Sequence, residues 1–333
     1  MSPIFRPFRN SDPPALTRLW NARELGPGIA SLLRVHEIDA HAWGCVHFDS
    51  RGLTVAEIEG QIVGFVHAGF GPDYPIPAPR PFEVSREIGA ISQLVVRPDH
   101  AQTHLAAELI QHAEDYLRDR GARVIYGGSL FPLNPYYWGI SGGSEGSGVG
   151  SGEHAFLRAL DEMGYQPASS TILLEARLVD PETRDPRAAM IRRQTRVEFQ
   201  EDPLPADWWE GVALGNFPMM QARLVSKATD AIIASAATWE MGWFSRMDGQ
   251  SRVGLIKLHV DPSHRRKGHG RFLVSEIFRR LRDHQVQVVC AQTGTTNLPA
   301  LGLYASLGFE PIDQSTLYRL PAETRDRRHP VAT

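Results

Sequence analysis

The sequence has few cysteines and no long apolar run. Its two cysteines, Cys45 and Cys290, allow at most one disulfide and have no metal-ligand spacing, so we expect a reducing compartment and no metal site. No apolar run approaches the roughly 18 residues of a transmembrane helix, and the opening stretch MSPIFRPFRN lacks the apolar segment of a signal peptide. These absences predict a cytoplasmic protein without a membrane span.

The chain also lacks a strong excess of either charge. The net charge is −3, and 22% of the residues are charged against 42% hydrophobic. Such a balance gives no general attraction to nucleic acid or to an acidic membrane surface, so neither is expected as a partner. A length of 333 residues exceeds one average domain and favours two domains of about 150 residues each.

The most informative feature that is present is an internal repeat. An offset of 164 residues places VVRPDHAQTHLAAELI (95–110) over HVDPSHRRKGHGRFLV (259–274), and both stretches combine a strand, a proline and a helix. Further on, MGYQP (163–167) matches LGFEP (307–311) at an offset of 144. The difference is an insertion of 20 residues in the first half, inside NPYYWGISGGSEGSGVGSGEH (134–154). The chain is therefore predicted to be a tandem duplication.

Each half has the same predicted elements, which are a strand and a helix, a hairpin, and then the aligned strand, helix and strand. The first hairpin is LTVAEIEGQIVGFVHAGF (53–70), about a Glu-Gly-Gln turn, and the second is ARLVSKATDAIIASAATWE (222–240), about Thr229-Asp230. The predicted layout begins with a first domain (1–178) and a polar connector with several prolines (179–195). A second domain (196–320) and a charged tail (321–333) follow.

A basic glycine loop in the second half predicts an anion site. It lies between the strand VGLIKLHV (253–260) and a helix whose apolar residues share one face: Leu273, Ile277 and Leu281. Gly268 and Gly270 allow the backbone to come close to a ligand, and free N–H groups at a helix start attract anions. Positive charge comes from four further residues: Arg265, Arg266, Lys267 and Arg271. Alone, the loop is equally well a basic turn at a solvated helix end.

A second motif follows about 30 residues downstream. It consists of Asn297, Ala300, Leu303, Tyr304, Gly308 and Phe309. Together with Arg265, Gly268 and Gly270, this motif resembles the GCN5-related N-acetyltransferase (GNAT) superfamily, whose patterns are [QR]-x-x-G-x-[GA] and N-x-x-A-x-x-L-Y-x-x-x-G-F. Through the repeat, the resemblance extends to the first half, and the layout is similar to tandem-repeat members such as mycothiol synthase.

The resemblance implies an α/β (α+β) fold with two tandem acyltransferase domains. Each would be a mixed, mostly antiparallel sheet flanked by helices and splayed between its fourth and fifth strands, where acetyl-CoA, the implied co-substrate, inserts. The strand end would hydrogen-bond the pantetheine, the glycine loop would hold the pyrophosphate, and a strand bulge would face the thioester carbonyl. The residues implied to contact acetyl-CoA are Leu258, His259, Val260, Arg265, Arg266, Lys267, Gly268, His269, Gly270, Arg271 and Asn297.

Tyr304 matches the family tyrosine that protonates the departing thiolate. The alternative is an aromatic side chain that only packs on the core. Asn297 has an alternative role as the N-cap of its helix. The general base stays open between Glu240, His259 and a water molecule.

The first half departs from both motifs. Where the second half has Arg265, Gly268, Asn297 and Tyr304, the first has Ala101, His104, Glu153 and Leu160. We expect it to keep the fold and not the chemistry. His100 and His104 are four residues apart but have no evident third ligand, so we interpret them as surface residues. The insertion near 134–154 is predicted to be either a flexible linker or a binding loop, and aromatic residues anchored in the core are a third explanation.

These features favour an N-acetyltransferase in which a substrate amine attacks acetyl-CoA in the second half, with Tyr304 as general acid. The alternative is a non-catalytic module that binds acyl-CoA or a partner protein, and Tyr304 favours the enzyme. The expected acceptor is a small-molecule amine or a peptide N-terminus or lysine, between which the sequence does not choose. The oligomeric state also stays open, and one candidate is a homodimer whose interface lies on the first domain.

Overall fold

The two halves share a common order of elements, with additions in each half, in the computed structural model, which describes residues 2–72, 83–101, 103–178 and 187–321. The elements of the first half are β1 (Ile4–Pro7), α1 (Pro13–Ala22), α2 (Val35–Asp39), β2 (Leu53–Ile58), β3 (Gln61–Phe70), β4 (Ile88–Val96), α3 (Leu105–Asp119), β5 (Val124–Gly127), β6 (Ser129–Leu130), β7 (Ser147–Gly150), α4 (His154–Glu162) and β8 (Gln166–Arg177). Those that follow are α5 (Ala188–Gln194), β9 (Thr195–Glu201), α6 (Trp208–Leu214), β10 (Met219–Ser226), β11 (Ile232–Glu240), α7 (Gly242–Asp248), β12 (Arg252–Val260), α8 (His269–Asp283), β13 (Val288–Gly294), α9 (Leu298–Ser306) and β14 (Glu310–Arg319).

The structure confirms both predicted hairpins. Glu59 and Gly60, which join β2 to β3, have φ values of 54° and 75°. Two successive positive φ angles are typical of the tight turns that match the twist of a hairpin. In the second half, Asp230 has a φ of 56° in the turn between β10 and β11. The turns therefore lie where the short polar residues predict them.

One continuous sheet runs through both halves. Its strand order is β1-β2-β3-β4-β5-β14-β8-β13-β12-β11-β10-β9. The final strand of the second half, β14, pairs with β5, whereas the final strand of the first half, β8, pairs with β13. Strands β8 and β14 also pair with each other along most of their length. The halves have thus exchanged their last strands, an arrangement that the predicted domain boundaries did not include.

Helices α3 and α8 pack on the sheet through apolar stripes. Leu273 and Ile277 are fully buried and Leu281 is 6% exposed, which confirms the predicted helical face of α8. Leu109 and Leu117 are fully buried at the equivalent positions of α3. Each such side chain contributes about 1.5–3 kcal/mol when it leaves water. These stripes hold each helix against its strands and so fix the loop that precedes it.

The insertion of the first half is packed into the core. Residues 134–140 are all buried. Tyr137 stacks on Trp20 with ring centroids 5.7 Å apart, and its hydroxyl lies 2.9 Å from Nδ1 of His67. Trp138 lies 6.0 Å from Trp239 of the second half. This packing excludes a flexible linker and agrees with the third explanation, aromatic residues anchored in the core.

The described part of the predicted connector contains a helix. Residues 188–194, AAMIRRQ, are mostly good helix formers, and α5 buries Ile191 against the second half. Residues 179–186 and the tail from 322 onward lie outside the described residues.

Candidate functional site

Strands β12 and β13 run side by side and then separate. Their parallel pairing stops at Leu255 opposite Ala291, although β12 continues to Val260 and β13 to Gly294. On its other edge, β12 bulges against β11, and Lys257 in the bulge has a φ of 54°. A bulge leaves one residue unpaired and redirects the backbone groups around it. The second half therefore has the splayed strands and the bulge that the resemblance implies.

The end of β12 borders this splay. The side chains of Leu258 and Val260 pack on the core, whereas His259 is exposed. Lys257 forms an ion pair with Glu210 of α6, with Nζ and Oε2 2.5 Å apart. Beyond Leu255, the backbone groups of β12 that face β13 have no partner on that strand. Buried backbone groups need hydrogen-bond partners, so this edge is suited to an extended ligand.

The loop between β12 and α8 presents backbone N–H groups to solvent. Arg266 and Gly268 have φ values of 60° and 87°, and α8 begins directly afterwards at His269. Within the ranges that the structure describes, the N–H groups of residues 266–270 donate to no protein acceptor. Free N–H groups and the helix dipole both favour an anion here. The geometry thus supports an anion site over a plain basic turn.

Two of the basic side chains of the loop fold back on the loop itself. Arg265 donates from Nε to the carbonyl of Val260 at 3.0 Å, and Lys267 donates from Nζ to the carbonyl of Ser263 at 2.8 Å. These bonds hold the loop against the end of β12. The other predicted loop residues occupy the exposed turn or the first turn of α8: Arg266, His269, Gly270 and Arg271.

Tyr304 lies on α9, which follows β13. Its side chain is 5% exposed and packs edge-on against Phe309 with ring centroids 5.0 Å apart. The hydroxyl makes no hydrogen bond with any described residue. Burial raises the pKa of this hydroxyl well above its usual value, and the carboxylate of Glu145 raises it further. Tyr304 is thus a protonated and unbonded donor at neutral pH.

Asn297 caps the start of α9. Its Oδ1 accepts from the N–H of Ala300 at 3.3 Å, and its Nδ2 donates to Oγ1 of Thr293 at 3.0 Å. Gly308 closes the same helix with a φ of 82°, the left-handed conformation that glycine adopts most easily. The N-cap alternative for Asn297 is therefore confirmed, and its exposed position leaves a ligand contact open.

The two predicted general bases, Glu240 and His259, lie at exposed positions near opposite ends of the second-half strands. Glu240 is exposed and pairs with Val253, at the opposite end of β12 from the splay. His259 is exposed and pairs with Ser235 beyond the bulge. Neither side chain influences the pKa of the Tyr304 hydroxyl.

A different carboxylate, Glu145, reaches the site from the insertion of the first half. Its backbone N–H donates to Oε1 of Gln292 on β13 at 2.6 Å. The preceding residue, Ser144, accepts at its carbonyl from Nε1 of Trp239 on β11 at 3.0 Å. Sequence reasoning missed Glu145 because it is a single acid in a glycine- and serine-rich stretch that belongs to the other half.

In the first half, side chains fill the corresponding splay. The pairing of β4 with β5 stops at Gly127, and the fully buried Leu160 packs directly on this glycine. Gln93 bonds to Arg23 at 3.0 Å and to Ser141 at 2.7 Å. Arg23 in turn pairs with Glu153, which replaces Asn297, at 3.3 Å. In the first half, the side chains beyond the last paired residues of β4 and β5 are thus bonded to one another.

The loop of the first half also differs in conformation. His104, which replaces Gly268, has a φ of −69° and a side chain that is 87% exposed, and it pairs with Glu162 at 2.9 Å. His100 instead contacts Arg97 at 2.9 Å.

Among the residues described, no group of three or more His, Cys, Asp or Glu side chains has metal-site geometry. Within the same residues, none of the helices could span a bilayer, because none is both long and apolar enough.

Comparison with known structures supports the fold. A tandem GNAT protein from the clavulanic acid biosynthesis pathway superposes with a TM-score of 0.65 at 17% identity, over 96% of this chain and 99% of that chain. A GCN5-related N-acetyltransferase from Sphaerobacter thermophilus gives a TM-score of 0.63 at 14% identity, over 96% of both chains. A GCN5-related glucosamine N-acetyltransferase region of a fungal β-N-acetylglucosaminidase gives 0.68 at 18% identity, over 96% of this chain and 38% of that chain.

Sequence comparison identifies the family. N-acetyltransferase 8 of Homo sapiens is 39% identical over 66 residues, which are 20% of this chain and 29% of the human protein. This chain therefore spans less than a third of the length of that relative. The Acetyltransferase (GNAT) family model matches residues 16–132 and 188–309, together more than half of the chain. The chain belongs to the GNAT acetyltransferase family, with two copies of its fold in tandem.

Proposed function

We propose that the protein is an acetyl-CoA-dependent N-acetyltransferase whose active site lies in the second half, residues 196–320. One observation carries this proposal. Among the described residues, an open strand splay, a loop of free N–H groups and an unbonded tyrosine hydroxyl occur together only there. Membership of the acetyltransferase family supports acyl transfer in general.

The residues around the splay fit acetyl-CoA. A pyrophosphate matches the free N–H groups of residues 266–270 and the positive charge of Arg266. The unpaired edge of Leu258, His259 and Val260 would hydrogen-bond the pantetheine amides. Bound acetyl-CoA would supply an activated acetyl thioester, and an N–H of the bulge would stabilise charge on its carbonyl oxygen.

Tyr304 would act as the general acid. Its raised pKa keeps the hydroxyl protonated at neutral pH, so it can give a proton to the departing sulfur. The acceptor would be an amine, either on a small molecule or on a peptide N-terminus or lysine. The first half would serve as scaffold, because Leu160 replaces the acid and packs on Gly127 at the end of β5.

Acetyl-CoA is expected to raise the melting temperature of the protein. A ligand that binds only the native state stabilises it by about 2.7 kcal/mol at about 100 times Kd. Thermal unfolding with acetyl-CoA, compared with acetate alone, measures this effect. A turnover screen over glucosamine, an aminoglycoside, lysine and a short peptide then separates an enzyme from a non-catalytic acyl-CoA binder. No thermal shift at millimolar acetyl-CoA would contradict the cofactor assignment.

A Tyr304→Phe variant is expected to lower kcat about 10- to 100-fold while the KM for acetyl-CoA stays nearly unchanged. The ring keeps its contact with Phe309, and only the hydroxyl that would protonate the sulfur is lost. Steady-state kinetics against the best acceptor of the screen measure the change. Tyr318→Phe is the matched control, because Tyr318 is a half-buried tyrosine on β14, and this variant should retain the parent rate. An unchanged kcat in Tyr304→Phe would remove its assigned role.

A further inference from the structure

We infer that Glu145, supplied by the insertion of the first half, is the general base of the active site in the second half. The inference rests on the proposed function and adds a catalytic residue to it. The site would then be composite, since neither half alone contains both the acid and the base.

The insertion is fixed across the sheet of the second half by three contacts. Trp239 donates to the carbonyl of Ser144 at 3.0 Å, and Gln292 accepts from both the Ser144 hydroxyl at 3.2 Å and the Glu145 N–H at 2.6 Å. Gly254 makes this docking possible. A Cβ there would lie 2.4 Å from Nε1 of Trp239 and 3.1 Å from Cβ of Ser144. The backbone of Glu145 is therefore held at the base of the splay, next to the last paired residues of β12 and β13.

The carboxylate of Glu145 is close enough to the acid for its charge to raise the pKa of the Tyr304 hydroxyl. Of all the ionisable groups in the described residues, Glu145 is the one whose charge acts on Tyr304. Gln292, which anchors Glu145, directly follows Ala291, the last residue of β13 that pairs with β12. Tyr304 lies in one apolar cluster with Leu255 and Ala291, and Glu145 is anchored through Gln292, so both residues lie where β12 and β13 separate.

Glu145 has the protonation behaviour of a base for neutral pH. Burial raises the pKa of its carboxyl to about 7. A base is most effective when its pKa lies near the working pH. Other titratable groups that line this part of the sheet are paired or protonated: Arg252 pairs with Glu175 and Asp248, and burial raises the pKa of Cys290 to about 12. Ser144 lines one cavity with Glu175, Arg252 and Cys290, and Glu145 forms no ion pair with any residue that the structure describes.

The reaction balances with these two residues. The amine nitrogen forms a bond to the acetyl carbon and gives one proton to the Glu145 carboxylate. The carbon–sulfur bond breaks, and Tyr304 gives its proton to the sulfur, which leaves as a thiol. The products are an acetamide and free CoA. A proton then passes from Glu145 to Tyr304 through solvent and restores both groups.

A Glu145→Gln variant tests this role. Glutamine keeps the size and the backbone N–H that bonds to Gln292, so folding and acetyl-CoA binding should stay as in the parent. We expect kcat to fall by about 100-fold, within the range typical of general bases. The parent should also lose activity as the pH falls through about 7, because the carboxylate becomes protonated, and the variant should lack this limb.

The matched control is Glu310→Gln, an exposed glutamate in the second half, which should retain the parent rate and pH profile. If Glu145→Gln keeps both the rate and the pH limb while Tyr304→Phe loses rate, the inference is overturned and the proposed function stands. If Glu240→Gln or His259→Asn removes the limb instead, the base lies on those strands and the inference is again overturned. A parent protein that neither binds nor uses acetyl-CoA removes the proposed function and this inference with it.

Discussion

A Gly268→Val variant is expected to bind acetyl-CoA about 100-fold more weakly than the parent, which corresponds to about 2.7 kcal/mol. Gly268 has a φ of 87°, and a β-branched residue is strained at such an angle by about 1–3 kcal/mol. The nearest atoms to an added Cβ are 3.5 Å away, on Arg187 and Ile191, so the effect comes from the backbone and not from a clash. Relaxing φ to a negative value would turn the free N–H groups away from the pyrophosphate.

The repeat supplies a matched control for this change. His104→Val alters the equivalent position of the first half, where φ is already −69° and the side chain is exposed, and acetyl-CoA binding should be unchanged. Gly268→Ala should give an intermediate loss, since alanine tolerates the left-handed region at a cost of about 1–2 kcal/mol. Calorimetric titration gives the three affinities, and circular dichroism checks that each variant is folded. Parent-like affinity in Gly268→Val would contradict the loop assignment.

Lowering the pH from 7 to 5 is expected to remove about 2 kcal/mol of stability for each of three buried histidines, two of which, His41 and His47, pack against the second half. Burial lowers the pKa of His41 to about 4, of His47 to about 4 and of His67 to about 3. His41 stacks on Phe217, with ring centroids 5.1 Å apart. His47 meets the edge of Trp209 at 5.2 Å. The neutral rings are thus part of the packing that joins the first half to the second.

The sign of the effect follows from proton uptake. Each histidine in the unfolded chain binds a proton near pH 6.5, whereas the folded chain resists protonation until the pH reaches the lowered value. The stabilising contribution is therefore complete above about pH 6.5 and is lost as the pH falls. At pH 5 the loss is about 2 kcal/mol for each histidine, a large part of a typical stability of about 5–15 kcal/mol. Asp49 offsets this loss slightly for His67. Glu145 opposes the loss more strongly, because burial raises the pKa of its carboxyl to about 7 and the cost of keeping it ionised in the folded chain falls with the pH.

Urea unfolding at the two pH values measures this loss. His41→Phe should shrink the loss by about 2 kcal/mol, because phenylalanine keeps the ring contacts with Phe217 and Trp243 and cannot be protonated. His284→Phe, at an exposed position after α8, should leave the pH dependence unchanged. An equal loss in the parent and in His41→Phe would show that His41 does not titrate on unfolding.

The parts of the fold that are encoded locally were predictable from the sequence. The turn at Glu59 and Gly60, the cap of α9 at Asn297 and the apolar stripe of α8 each depend on residues within a few positions of one another. The repeat then extended these local predictions to the other half. The contrast between Gly268 and His104 also indicated which half keeps the loop geometry, and their φ angles of 87° and −69° agree.

The parts that depend on distant residues were not predictable in the same way. The path of Ser144 and Glu145 is set by Trp239 and Gln292, which lie 95 and 147 residues away along the chain. A glycine- and serine-rich composition carries no record of such contacts, so the stretch resembled a linker. The exchange of β8 and β14 was also not predictable, because the two strands have similar sequence patterns and either could pair with either half.

The exchanged strands also set the order in which the protein can fold during synthesis. Strand β5 ends at Gly127, but the strand that pairs with its free edge, β14, begins only at Glu310. At about 5–20 residues per second, the ribosome takes roughly 10–40 s to synthesise the intervening chain. Until then the first half keeps an unpaired edge, which is the kind of surface that other chains can join. The half that is made first therefore lacks one of its strands until the end of the second half has been synthesised.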